Sequence, residues 1–158
     1  MSTTQHDTTV LEPRPGNGTI PMRFEVTTLP VADVDRARAF YERLGWRLDI
    51  DFRPTPDSRA VQFTPPGSPA SIQFGAGTTT NTEPLQRLLL IVDDIAAAHA
   101  DLVDRGIEVS DIFHRSPEGI VAGVDPDRRS YNSFVAFADP DGNQWLLQEV
   151  TERIPGRV

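Results

Sequence analysis

The sequence predicts an α+β fold made of two βαβββ modules, and an internal repeat is what predicts it. Residues 29–52, LPVADVDRARAFYERLGWRLDIDF, are echoed by residues 90–113, LIVDDIAAAHADLVDRGIEVSDIF. One gapless shift of 61 positions pairs Leu29 with Leu90, Val31 with Val92, Asp33 with Asp94, Gly45 with Gly106 and Phe52 with Phe113. An offset that aligns caps, core positions and helix stops together marks a duplicated supersecondary unit. A second offset, 73, matches Ile72, Gln73 and Phe74 to Trp145, Leu146 and Leu147, so the second copy carries 12 extra residues.

In the first copy, residues 23–31 alternate as a strand does, and Pro30 sits near the end, where a missing N–H does least harm. Asp33 then has the residue type and position of a helix N-cap. Val34, Ala37, Tyr41 and Leu44 recur at helical spacing and form a buried stripe, and Gly45 stops the helix. Residues 46–52 read as a second strand and Pro54, Pro56 and Asp57 as a turn. Residues 59–64 are a third strand, 65–69 another turn and 71–75 a fourth strand. The second copy repeats the order. A strand at 87–92 leads to a helix capped by Asp94, with Ile95, Ala98 and Leu102 on one face, and Gly106 ends it. Strands follow at 107–113, 131–138 and 144–150, the last two joined by the strong turn sequence Asp139-Pro140-Asp141-Gly142-Asn143.

The domain limits follow. Residues 1–21 are a disordered or loosely docked arm, 22–77 the first module and 78–86 a Thr/Asn/Pro-rich linker. Residues 87–150 are the second module and 151–158 a polar tail. The extra residues belong to an irregular loop at 114–130, and an insertion in one copy of a repeat usually maps to a surface loop, often at the binding face.

Composition narrows the function classes. A chain of 158 residues that is 38 % hydrophobic suits one domain or two small joined modules. No apolar run approaches the roughly 18 residues of a membrane helix, so no membrane partner is expected. A formal net charge of -8 argues against a general grip on nucleic-acid phosphates and fits a soluble cytoplasmic protein. The absence of cysteine excludes disulfides, thiolate metal sites and a cysteine nucleophile. The start of the chain lacks the basic-then-apolar pattern of a secretory signal.

The run Val31-Ala32-Asp33-Val34-Asp35-Arg36-Ala37, with Phe40-Tyr41 and Leu44-Gly45, resembles the vicinal oxygen chelate superfamily, which includes glyoxalase I, bleomycin-resistance proteins and extradiol dioxygenases. Val92-Asp93-Asp94-Ile95, Gly106 and the 139–143 turn extend the likeness over about residues 23–150. The resemblance implies sheets that curl into a cup, and modules that often pair across a twofold homodimer. It also implies a metal held by His, Gln or Glu on the first and fourth strand of each module. Those four positions are Val26, Gln73, Arg87 and Leu146 here, and only Gln73 offers a metal donor. No metal and no other cofactor are therefore expected.

Strand alternation puts Val26, Thr28, Gln73, Arg87, Leu89, Leu146 and Gln148 on one sheet face, the cup lining of the family. Arg87 reads as half of a structural ion pair, as a residue left exposed by a shift in strand register, or as an anchor for an anionic ligand. His114 opens the inserted loop and Tyr131 closes it, and both join the candidate ligand-binding set. The loop is expected to border the cup mouth. The leading reading is a metal-independent protein that binds a small organic ligand, anionic or aromatic. It either sequesters that ligand or acts as a cofactor-free enzyme of secondary metabolism. The alternative is a metal-dependent lyase or dioxygenase with displaced ligands.

Overall fold

The computed structural model describes residues 20–155. The expected arm at 1–21 falls almost wholly outside the described residues, as does the end of the tail. The first module runs β1 (Val26–Thr28), α1 (Val34–Arg43), β2 (Arg47–Thr55), β3 (Ser58–Thr64) and β4 (Ser71–Phe74). The second runs β5 (Leu88–Val92), α2 (Ile95–Asp104), β6 (Phe113–Ser116), β7 (Gly119–Ala122), β8 (Ser133–Ala138) and β9 (Gln144–Glu149).

Both helices begin as the sequence reading expects. Asp33 accepts from the Arg36 N–H and Asp94 from the Ala97 N–H, both at 3.0 Å, which satisfies one orphan donor in each first turn. Both helices end before a glycine with positive φ, Gly45 at 77° and Gly106 at 72°, a conformation that only glycine takes without a Cβ clash.

The sheets confirm the duplication in their register. The four-stranded sheet has the order β1-β4-β3-β2 and the five-stranded sheet β5-β9-β8-β6-β7. Parallel β1 and β4 pair Thr28 with Gln73, and parallel β5 and β9 pair Leu89 with Leu146. These two pairs are related by the 61 and 73 offsets found in the sequence. β7 is the one strand with no counterpart in the first module.

Two expectations are corrected in the second module. Residues 107–112 do not form a strand: apart from an isolated bridge between Val109 and Phe137, the ladder starts only at Phe113. The segment instead packs Ile107 into the core and ties Ser110 to Ala136 by two hydrogen bonds of 2.9 Å. The supposedly irregular loop opens with the β6–β7 hairpin, turned at Pro117-Glu118-Gly119, with Gly119 at φ 122°. The signal was present in Ile120-Val121, a β-branched pair directly after a turn glycine.

The helices lie between the sheets and share one core. Tyr41 of α1 touches Phe63 and Phe74 of the first sheet and Trp145 of the second, with ring centroids 6.0, 5.6 and 6.3 Å apart. Trp46 meets Trp145 edge-on at 5.1 Å, and Phe40 meets Phe137 at 6.3 Å. The core faces of both sheets therefore turn inward, and their helix-free faces lie on the outside of the chain.

Polar groups lock this packing. The fully buried Tyr41 hydroxyl donates to Asp139 at 2.8 Å and accepts from the Trp145 indole N–H at 3.1 Å. Asn143 donates its side-chain amide to Pro30 O and Asp139, tying the 139–143 turn to the first module. Asp141 accepts from the Ala32 N–H and from Arg36 across the same boundary.

Candidate ligand-binding site

The helix-free face of the first sheet is set by cross-strand register. Thr28 pairs with Gln73, Gln73 with Gln62, and Gln62 with Ile50, while Ala60 pairs with Phe52. Ile50 and Phe52 are 44 % and 59 % exposed, and Val26, Thr28 and Gln73 are half-buried. The face is a mixed surface: short apolar groups, two neutral amides and a hydroxyl.

The matching face of the second sheet carries Leu89 and Ile91 on β5, Leu146 and Gln148 on β9, Phe134 and Ala136 on β8, and Phe113 and Arg115 on β6. Leu89 is 53 % exposed, whereas Phe134 is covered, stacked on Phe113 at 5.5 Å. The Arg115 guanidinium lies over the Phe134 ring, 4.8 Å from its centroid.

Six of the nine residues singled out in the sequence, Val26, Thr28, Gln73, Leu89, Leu146 and Gln148, occupy these two faces. Alternation within a correctly placed strand is enough to find them. The other three are placed differently. Arg87 precedes β5, is exposed, and has φ 59°, so strand alternation does not govern where it points. Among the described residues it has no ion pair or hydrogen bond, so the structural ion pair is not formed. His114 pairs with Ser133 on the core face, is 7 % exposed, and has Nδ1 2.8 Å from Gly123 O. It faces away from the helix-free surface because β6 begins at Phe113, which sends the odd residues outward. Tyr131 sits at φ 69° before β8; its carbonyl accepts from Gln148 Nε2 at 2.9 Å and its hydroxyl from the Ile154 N–H at 3.1 Å.

The loop at 123–131 is pinned by two buried carboxylates. Glu149 takes both Nε and Nη2 of Arg128 at 2.7 Å and also accepts the Ile95 N–H at the start of α2. Asp125 takes Arg129 in the same two-pronged way and adds the Asn132 amide at 2.8 Å. The Arg129 hydrogen bonds hold the Asp125 carboxyl well below the usual carboxylate range, against the opposing effect of desolvation. Burial, with the Asp139 charge beside it, holds the Tyr41 phenol well above its ordinary range.

The side chains do not suit the metal centre that the fold resemblance implies. Val26 and Leu146 have no donor atom, and an arginine, Arg87, stands where the family pattern puts a further ligand. Among the described residues no three His, Asp or Glu side chains are grouped to hold a cation.

The model of the Glyoxalase/Bleomycin resistance protein/Dioxygenase superfamily matches residues 23–147. The chain belongs to this superfamily. Among solved structures, TnmS3, an antibiotic binding protein from Streptomyces sp. CB03234, is similar at 28 % identity with TM-score 0.62, over 84 % of this chain and 98 % of that one. A superfamily member from Sphaerobacter thermophilus DSM 20745 is 26 % identical with the same TM-score, over 82 % of this chain and 98 % of that one. A glyoxalase/bleomycin resistance protein from Streptomyces sp. CB03234 is 29 % identical with TM-score 0.58, over 80 % and 100 %. No curated protein matches the chain significantly. Among the described residues no helix is long and apolar enough to cross a membrane.

Proposed function

We propose that the protein binds a small organic molecule, anionic or aromatic, without the help of a metal and sequesters it in the cytoplasm. The observation that carries this reading is the pair of helix-free sheet faces, apolar with a few neutral polar groups, on the outside of the chain. Such a composition suits a small-molecule pocket, which is mostly apolar with a few placed polar groups. Val26, Thr28, Gln73, Leu89, Leu146 and Gln148 form the lining in this reading, with Arg87 and Tyr131 at its margins. The likeness to an antibiotic binding protein supports capture rather than turnover.

A cup needs two walls, and one chain turns its two walls apart. The proposal therefore includes a homodimer in which the first-sheet face of one copy stands opposite the second-sheet face of the other. Among the described residues the outer edges of β1 and β5 have no ladder partner, which supports the same arrangement, because an apolar strand edge such as Leu88–Val92 is normally covered.

Light scattering of the full chain at micromolar concentration is expected to give twice the chain mass, and a monomer mass rejects the shared cup. Native mass spectrometry of protein purified without added ligand is expected to show a small organic adduct. Treatment with a chelator is expected to leave that adduct in place; its loss together with a stoichiometric divalent ion would reject the metal-independent reading.

A further inference from the structure

We propose that Arg115 selects the charge of the ligand: the wall formed by the second sheet takes a molecule whose anionic group, a carboxylate or phenolate, adjoins a flat apolar ring system. This rests on the small-molecule reading above and adds the residue that sets its specificity.

Arg115 is the one charged side chain at a face-lining position of β5, β9, β8, β6 or β7; the others there are Leu, Ile, Gln, Phe and Ala. Its own cross-strand partner is Ile120, 73 % exposed. In a chain of net charge -8, seven of the thirteen described arginines find a carboxylate: Arg36, Arg38, Arg47, Arg59, Arg105, Arg128 and Arg129. Among the described residues the Arg115 guanidinium has neither an ion pair nor a hydrogen bond.

It is nevertheless held in place. Asn132 donates to the Arg115 carbonyl at 3.0 Å, and Asn132 is itself fixed by the buried Asp125. The guanidinium carbon lies over the Phe134 ring, and Phe113 stacks with that ring. The cation–π contact holds the guanidinium over the ring and leaves its five N–H donors unused among the described residues. A planar guanidinium fork matches the two oxygens of a carboxylate and can also stack with an aromatic ring. Ordering the fork in advance lowers the entropic cost of binding. Arg87 serves as the comparison: among the described residues it is equally unpaired but has no aromatic ring under its guanidinium, and it lies near the Gln144 end of β9, whereas Phe134 lies beside Gln148.

The test uses two fluorescent probes of similar shape, one charged and one uncharged: anionic 8-anilinonaphthalene-1-sulfonate and neutral N-phenyl-1-naphthylamine. Wild-type protein is expected to prefer the anionic probe. Arg115→Met should weaken the anionic probe by roughly 10- to 100-fold, the loss of a charge-assisted contact, and change the neutral one less than twofold. Phe134→Leu should reduce the preference without abolishing it, because the charge stays while its orientation is lost. Leu146→Trp, which fills the sheet face, should displace both probes. An unchanged preference in Arg115→Met overturns the assignment of Arg115 alone. Equal weakening of both probes also overturns it, since Arg115 would then be a wall rather than a charge. Failure of Leu146→Trp to displace either probe overturns the small-molecule site itself. If Arg115→Met does not fold, Arg115→Gln provides the same comparison with the same outcomes.

Discussion

At the scale of single residues, the hydroxyl of Tyr41 is the most consequential atom away from the candidate site. It joins α1 of the first module to Asp139 and Trp145 of the second. Tyr41→Phe keeps the ring contacts but leaves the Trp145 N–H without an acceptor in a dry interior. Urea denaturation is expected to show a loss of about 1–3 kcal/mol with little change in slope, the usual cost of orphaning a buried donor. A loss below about 0.5 kcal/mol would mean that water reaches the indole. The sequence placed Tyr41 in the buried stripe, but gave no indication that its hydroxyl reaches two residues of the other module, 98 and 104 positions away. Arg115 was hidden for a related reason: its direction depends on where β6 starts, and the segment around it carries turn residues that read as a loop.

At the scale of elements, the two copies give matched experiments. Asp33→Ala and Asp94→Ala each remove one helix cap and are each expected to cost about 1 kcal/mol. A cost confined to one of them would show that the copies differ in what supports their first turns. Gly75 closes β4 at φ 148°, and a Cβ there would stand 1.8 Å from the Arg59 carbonyl oxygen, a backbone atom of the paired strand. Gly75→Ala is expected to destabilise the protein by at least about 1–3 kcal/mol, through both strain and a clash that no side-chain movement relieves. A midpoint shift near zero in thermal unfolding would contradict that close approach. Helices and turns were legible because caps, stripes and stop glycines act over three or four residues. The β6–β7 hairpin was read as a loop because its alternating run is only four residues long, and its pairing is confirmed only by the neighbouring β8.

For the whole molecule, several carboxylates are clasped by arginines. Hydrogen bonding to Arg59 holds Asp35 and Asp51 below the usual carboxylate range; Arg47 does the same for Asp49, and Arg129 for Asp125. A carboxylate whose folded pKa is depressed contributes stability that is fully present above its unfolded pKa, about 3.9, and lost as pH falls through the folded value. The thermal midpoint is therefore expected to be level from neutral pH to about pH 5 and to fall below about pH 4. Arg129→Met should lower the level region and make the acid fall shallower. An acid limb of unchanged slope would show that the Asp125 clasp contributes nothing.

The sequence by itself determined the duplication, the order of elements in the first module, the helix limits, the family and six positions on the two open faces. Each of these rests on local periodicity or on a fixed offset, and both are written in residue order. Tertiary structure alone decided that the two sheets share one interior and turn their open faces apart, because that depends on how Tyr41, Trp46, Phe137 and Trp145 pack together across the modules. It also decided that His114 faces the core while Arg115 lies on Phe134 at the surface, since a shift of one residue in where a strand begins exchanges the two faces of everything that follows.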